Sequence, residues 1–246
     1  MTPAADWLVD LGNSRLKLAP VIDGRVGGVV AIAHDGERFA DGWEDDLPQG
    51  FDTAWVASVA PAALTVALLD ALATRGSRVH VARTQAALAG VRIADAQPRQ
   101  LGVDRFLALL AARARSADAT LLVGIGTALT IDLMDDAGVH LGGRIAPSPS
   151  LMRDALHARA VQLPASGGRP VDFAAETRDA LASGCEGAAL GLIHDSLDAA
   201  TRQLGATPTL LLHGGGASAL RSRLPQAVEA PALVLEGLLQ LRIAGC

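Results

Sequence analysis

Tyrosine is absent from this 246-residue chain, aromatic residues make up 3% of it, and Lys17 is its one lysine among 21 basic residues. So few aromatics exclude a stacking platform for single-stranded nucleic acid. A net charge of −5 and a pI near 5.6 exclude a nucleic-acid binder that relies on its overall charge. Cysteine is scarce too. Cys185 and Cys246 fit no metal-ligand spacing, no structural disulfide is expected, and a reducing cytoplasm is the simpler setting. None of the six histidines has metal-ligand spacing either. No apolar run approaches the ~20 residues of a membrane span. "ALTVALLDALA" is broken by Asp70 and reads as a helix, and "MTPAADWLVD" lacks the basic start of a secretory signal, so no membrane partner is expected.

What is present is core material. Half the residues are hydrophobic and 19% are charged, enough for one large domain or two of ordinary size. "DWLVDLG" and "SRLKLAPV" alternate around "GNS" and predict a two-strand hairpin. "RVGGVVAIAH", "TAWVASVA" and "SRVHVAR" predict strands, and "GERFADGWEDDLPQG" an acidic helix or loop. "PAALTVALLDALATRG" and "GVDRFLALLAARARSA" predict helices. "TLLVGIGTALTIDLMD" is again strand, small-residue turn, strand, followed by a strand in "GVHLGGRIAP". "SPSLMRDALHARAVQLP" and the long "ETRDALASGCEGAALGLIHDSLDAATRQLG" predict helices, the second with Gly184 and Gly187 placed for close contact. "PTLLLHGGGASALRSRL" reads as strand, Gly-rich turn, helix, and "PALVLEGLLQLRIAG" as a terminal helix.

The opening pattern therefore occurs twice. "LVDLGNSRLKL" lies over "LVGIGTALTID", with Gly12 opposite Gly126 and Asn13 opposite Thr127. This internal duplication implies two similar α/β domains, 1–117 and 118–246, around a cleft.

A tight turn between strands points several backbone N–H groups one way, and glycine lets an anion approach them. Two such turns suit a triphosphate. Asn13, Ser14 and Thr127 add side-chain donors, and Lys17 adds a point charge. Asp10 can hold Mg²⁺, which prefers carboxylate oxygens and keeps much of its water. Asp, Gly and Asn also fill ordinary turns; the second copy favours phosphate binding. "HGGGAS", residues 213–218, offers either a backbone surface for nucleotide at Gly214 and Gly215 or a plain flexible connection. In "LGVDRF" Asp104 and Arg105 open a helix. Asp104 serves there as a cap, or as acceptor of a substrate hydroxyl proton, with Arg105 on a substrate carboxylate.

The ordered set "DLGNSRLK", "GVDR", "GTALTID", "GGRIAPS", "MRDALHARAVQLP", "ETRDALASG" and "HGGGA" resembles the type III pantothenate kinases over nearly the whole chain. The resemblance implies two ribonuclease-H-like domains of the actin, Hsp70 and sugar-kinase kind, with mixed sheets and helices. It implies phosphorylation of the pantothenate 4′-hydroxyl by ATP, the first step of coenzyme A synthesis, with Mg²⁺ and a monovalent cation, K⁺ or NH₄⁺. It also implies a cytoplasmic homodimer with the pantothenate site near its interface. By the same resemblance Asp10, Leu11, Gly12, Asn13, Ser14, Arg15, Leu16 and Lys17 form the first phosphate segment, and Thr127 binds ATP. Gly102, Val103, Asp104 and Arg105 contact pantothenate, Asp104 accepts the proton, and Thr177 contacts substrate.

Three positions depart from the family pattern. Gly124 stands where the second hairpin carries an acid tied to the monovalent cation; Asp132 is an alternative carboxylate. Asp95 lies near the place of an expected tyrosine. "PS" replaces "PG" after the Gly-Gly strand. Other readings are an actin-like kinase for a different alcohol, a non-catalytic regulatory homologue akin to accessory factors for transcription, and an NAD-binding Rossmann protein. The last lacks a G-x-G-x-x-G between strand and helix in the first half.

Overall fold

In the computed structural model the described residues are 5–94 and 97–245. Asp95 and Cys246 lie outside them. The chain forms two compact units: Met1–Ala117 with Ala137–His140 and Ala232–Cys246, and Asp118–Asp136 with Leu141–Pro231. The second unit therefore stops short of the terminal helix, which returns to the first.

In the first unit β1 (Trp7–Leu11) and β2 (Arg15–Ile22) form the expected antiparallel hairpin, Asp10 opposite Lys17. The strand expected over 25–34 is two, β3 (Arg25–Val26) and β4 (Val30–Ala33), both paired with β2. Gly27 separates them because its N–H turns onto the Pro20 carbonyl at 2.8 Å, and a Cβ there would lie 2.9 Å from that proline. The acidic stretch contributes one 3₁₀ turn, Trp43–Asp46. β5 (Phe51–Ser58), α1 (Ala62–Ala73) and β6 (Gly76–Val81) follow as a parallel crossover unit, giving the order β3-β2-β1-β5-β6. Two short strands not foreseen, β7 (Ala87–Leu88) and β8 (Val91–Ile93), bracket the left-handed Ala89 and Gly90, and α2 (Val103–Arg115) comes next.

The second unit opens with the hairpin β9 (Thr120–Ile125) and β10 (Ala128–Met134). β11 (Val139–Pro147), α3 (Pro149–Arg159), α4 (Thr177–Leu204), β12 (Thr209–His213), α5 (Ala217–Arg221) and β13 (Val228–Glu229) complete it, in the sheet order β13-β12-β9-β10-β11. α6 (Leu233–Ile243) then packs on α2. Among the described residues no helix is long and apolar enough to cross a membrane.

The duplication has a structural form. β1 is flanked by antiparallel β2 and parallel β5; β9 is flanked by antiparallel β10 and parallel β12. Alternate residues of each hairpin pack into one hydrophobic core. Val9, Leu11, Leu16 and Leu18 face one core, and Val123, Ile125, Leu129 and Ile131 face the other. The residues between them, Asp10 and Lys17 or Gly124 and Thr130, take the opposite face, because successive strand residues alternate sides.

Candidate active site

Residues paired across adjacent strands share one face of the sheet. Asp10 has Lys17 on one side and Ala57 on the other. The methyl of Ala57 leaves room for a carboxylate. Asp10 is only 9% exposed, and its carboxyl is pushed up to about 6, first by burial. Lys17 pulls it back down, and Asp104 pushes it up again. The three side chains therefore share one electrostatic environment, although Asp104 enters from another element. A buried, proton-avid carboxylate beside a second acid is a donor set suited to Mg²⁺. No group of three or more acids, histidines or cysteines forms a metal cluster among the described residues.

Asp104 stands in the first turn of α2, behind Gly102 as N-cap. A Cβ on Gly102 would lie 2.6 Å from Asp104 Oδ1, so the glycine makes space for the carboxylate to fold back over the helix start. Leu101, just before it, is buried, and its carbonyl accepts from Thr84 Oγ1 at 2.8 Å. Val103, Asp104 and Arg105 are half-buried, as Gly102 is.

The first turn closes by the Gly12 N–H donating to the Arg15 carbonyl at 3.0 Å, leaving Asn13, Ser14 and Arg15 exposed. His34 reaches this turn from beyond β4: its Nε2 donates to the Gly12 carbonyl at 3.0 Å. Of the segment expected to hold phosphate, Leu11 and Leu16 are fully buried in the core. They position the turn with their backbone and offer no side chain to a ligand.

The second hairpin differs in length and content. Leu129 pairs with Ile125, so this turn has one residue fewer than the first, where Leu16 pairs with Leu11. Gly126 N–H donates to the Ala128 carbonyl at 2.9 Å, and Thr127 is exposed. The buried Ser148 caps α3, accepting from Leu151 N–H at 3.2 Å, and its own N–H meets the Thr127 carbonyl at 3.4 Å. Gly124, the counterpart of Asp10, is flanked by Thr130 and His213. A Cβ at 124 would lie 2.6 Å from Thr130 Oγ1 and 2.8 Å from His213 Nε2. The imidazole thus occupies the room that Ala57 leaves open beside Asp10, and an acid at 124 would require the Thr130 and His213 side chains to turn aside. Asp132, two residues along the same face, is buried and pairs with Leu122.

The Gly-rich turn after β12 rests on this hairpin. Gly214 has φ +90°, and a Cβ there would lie 2.4 Å from the Ile125 carbonyl, which accepts from Gly216 N–H at 2.9 Å. The helix after it is shorter than expected: α5 has five residues, too few for a strong terminal dipole. Thr177 is exposed at the first position of α4. The first unit thus gathers Asp10, the 12–15 turn, Lys17, Gly102 and Asp104. The second gathers Thr127, Gly214 and Gly215, with Thr177 on a separate element. His34 lies in no sequence motif, and His213 and Ser148 lie inside motifs whose spacing does not show what their side chains meet. The partners of the two histidines, Gly12 and Gly124, are remote along the chain.

The model of the type III pantothenate kinase family matches residues 7–199. A type III pantothenate kinase of Stenotrophomonas maltophilia (strain K279a) is 58% identical over 234 residues, covering 95% of this chain and 96% of the relative. One from Xanthomonas campestris pv. campestris (strain B100) is 56% identical over 235 residues, covering 95% and 96%. Among solved structures, a Campylobacter jejuni protein described as a Baf family transcriptional activator superposes with a TM-score of 0.64 at 20% identity, covering 98% of this chain and 100% of that one. An archaeal actin homologue superposes with a TM-score of 0.53 at 10% identity, covering 97% and 99%. Those two likenesses establish the actin-like fold. The family match and the identity to its members establish more: this chain belongs to the type III pantothenate kinase family.

Proposed function

We propose that Asp104 is the proton acceptor in the reaction of this family, the ATP-dependent phosphorylation of pantothenate that opens coenzyme A synthesis. The observation that carries the assignment is that Asp104 acts on the buried carboxyl of Asp10, the residue paired with Lys17 in the first hairpin. The lysine of the first hairpin and the acid of α2 both lie close enough to Asp10 to act on its charge. The pantothenate 4′-oxygen attacks the γ-phosphorus, its proton goes to Asp104, and the β–γ bridging oxygen leaves with ADP. Phosphoryl transfer of this kind needs positioning and charge neutralisation above all. Arg105, next in sequence, takes the pantothenate carboxylate as a bidentate donor, with Gly102 and Val103 beside it. Thr177 adds a substrate contact.

The 10–17 hairpin, Lys17 foremost, holds phosphate. Thr127, Gly214 and Gly215 hold nucleotide in the second unit. Asp10 would hold Mg²⁺, whose contribution when bound is neutralisation of phosphate charge.

The monovalent cation fits less well. At 124 there is no carboxylate, and His213 fills the adjoining space. K⁺ or NH₄⁺ therefore has no acid at 124 to bind, and the buried Asp132 is the remaining carboxylate on that face. We also read the protein as a cytoplasmic homodimer without nucleic-acid or membrane partners. The buried free Cys185 and the net charge of −5 support that setting. Exposed apolar side chains on α3 and the segment after it support the dimer.

The test is ADP release coupled to pantothenate addition, run in K⁺, NH₄⁺ and Na⁺. Wild type turns over with pantothenate, and a rate higher in K⁺ or NH₄⁺ than in Na⁺ would place the monovalent cation at Asp132 rather than beside Gly124. Asp104→Asn loses at least about a hundredfold in kcat, the usual scale of a lost general base. Wild-type turnover by Asp104→Asn would refute the assignment.

A further inference from the structure

We propose that His34 is a positioning residue for nucleotide: it aims the peptide N–H groups of the first hairpin. The inference rests on the reading of that hairpin as a phosphate binder.

His34 is fixed by hydrogen bonds at both ring nitrogens. The Gly12 carbonyl can only accept, so Nε2 donates to it at 3.0 Å. The Gly36 N–H can only donate, so Nδ1 accepts from it at 3.1 Å. One neutral tautomer satisfies both. The backbone of the same residue adds a further tie, its N–H donating to the Ser14 carbonyl at 3.3 Å. His34 thereby holds two carbonyls of a four-residue turn, Gly12 and Ser14.

The consequence follows from peptide geometry. No described peptide bond is cis. In a trans peptide the carbonyl and the next N–H point in opposite directions. Turning the Gly12 carbonyl toward His34 turns the Asn13 N–H away from it. Turning the Ser14 carbonyl toward His34 does the same for the Arg15 N–H. Both donors then face away from their His34 partners at an exposed turn, the arrangement an anion cradle needs.

The ring has its own support. It meets Phe39 edge-on with centroids 5.6 Å apart, and Phe39 stacks on Trp43 at 3.9 Å. Phe39 is buried. Asp35 closes the intervening loop by accepting from the N–H groups of Glu37 and Arg38, each at 2.8 Å. Through His34, a stack of aromatic side chains backs a turn that has no side chain of its own in the core between Gly12 and Arg15.

Three variants separate the roles: His34→Phe keeps an aromatic ring beside Phe39 and removes both hydrogen bonds; His34→Gln keeps a donor of similar reach; Lys17→Met removes the charge from the hairpin itself. A non-hydrolysable ATP analogue is titrated by calorimetry, and KM is measured for ATP and for pantothenate. His34→Phe should bind the analogue about five- to tenfold more weakly, with KM for ATP raised alike, as for one lost hydrogen bond. Its KM for pantothenate and its melting temperature should stay near wild type, and His34→Gln should stay within about twofold of wild type on every measure. Wild-type nucleotide binding by His34→Phe, while Lys17→Met binds weakly, overturns the role of His34 alone. Equal rises in both KM values for His34→Phe, or a His34→Gln protein as weak as His34→Phe, overturn it too. If Lys17→Met also binds like wild type, the hairpin reading falls and takes this inference with it.

Discussion

Asp10 is placed for function at a cost to stability. Its carboxyl rises from 3.8 to about 6 in the fold, mainly because burial disfavours the charge. A group raised in this way contributes its full stability below pH 3.8, loses it through the interval, and has lost it above about 6. At neutral pH the metal-free protein therefore carries a burden on the order of 2–3 kcal/mol. Asp10→Asn should raise the unfolding midpoint of the metal- and nucleotide-free protein at pH 7.5, by several degrees, and the gain should shrink at pH 5. It should also abolish Mg²⁺-dependent turnover. Thermal melts at the two pH values decide it: an Asn variant less stable than wild type at pH 7.5 contradicts the burial argument. Asp10 and Lys17 were legible in the sequence because they sit seven residues apart across one turn. His34 and His213 were not, since hydrogen-bonding and space-filling by a remote strand leave no local pattern. Gly124 was legible as a missing acid, but not as the position that His213 closes off.

At the level of elements, hairpins and helices followed from alternation, 3.6-residue periodicity and Pro/Gly punctuation, and most stand where those signals put them. The shortfalls have physical reasons. β7, β8 and β13 are two or three residues long, too short for any periodicity. Gly184 and Gly187 were read as close-contact sites, yet a Cβ on either would meet nothing within 4 Å. The close-contact glycine is Gly237 in α6, where a Cβ would lie 2.0 Å from the Leu107 carbonyl oxygen of α2. Backbone atoms cannot swing aside as a side chain can, so the helices must separate. Gly237→Ala gains roughly 1 kcal/mol of helix propensity but incurs an overpacking cost of about 1–3 kcal/mol. A net loss of stability is expected. Because α2 carries Asp104 and Arg105 in its first turn, KM for pantothenate should rise severalfold, while the affinity for the ATP analogue changes little. A variant as stable as wild type with unchanged KM shows that α6 does not set the position of α2.

For the whole molecule, the surface of the second unit holds what the chain alone does not explain. Phe173 is 100% exposed, and Val161 is 76% exposed. Leu151 and Leu156 on α3 and Val171 in the segment after it are exposed as well. The segment between α3 and α4 is held down rather than loose. Arg153 donates to the Gly167 carbonyl, Arg169 N–H to Asp179, and Val171 N–H to Ser183 Oγ. A tethered segment that presents apolar side chains to water marks an association surface. Gly184, Gly187 and Gly191 give α4 a side open to close approach, at a helix-propensity cost of roughly 1 kcal/mol each that nothing within the chain offsets. A second copy of the chain is the partner that the family resemblance implies, and in a two-fold interface Phe173 enters twice. Burying one phenylalanine is worth about 1.5–3 kcal/mol, so Phe173→Asp should weaken dimerisation at least about tenfold. Sedimentation across a dilution series reads this directly, and the monomer should melt like wild type because the residue touches no core. Thr177 begins α4 four residues on, so loss of the dimer should also raise KM for pantothenate before it changes KM for ATP. If the Asp variant dimerises as tightly as wild type, the interface lies elsewhere and the exposed phenylalanine needs another partner.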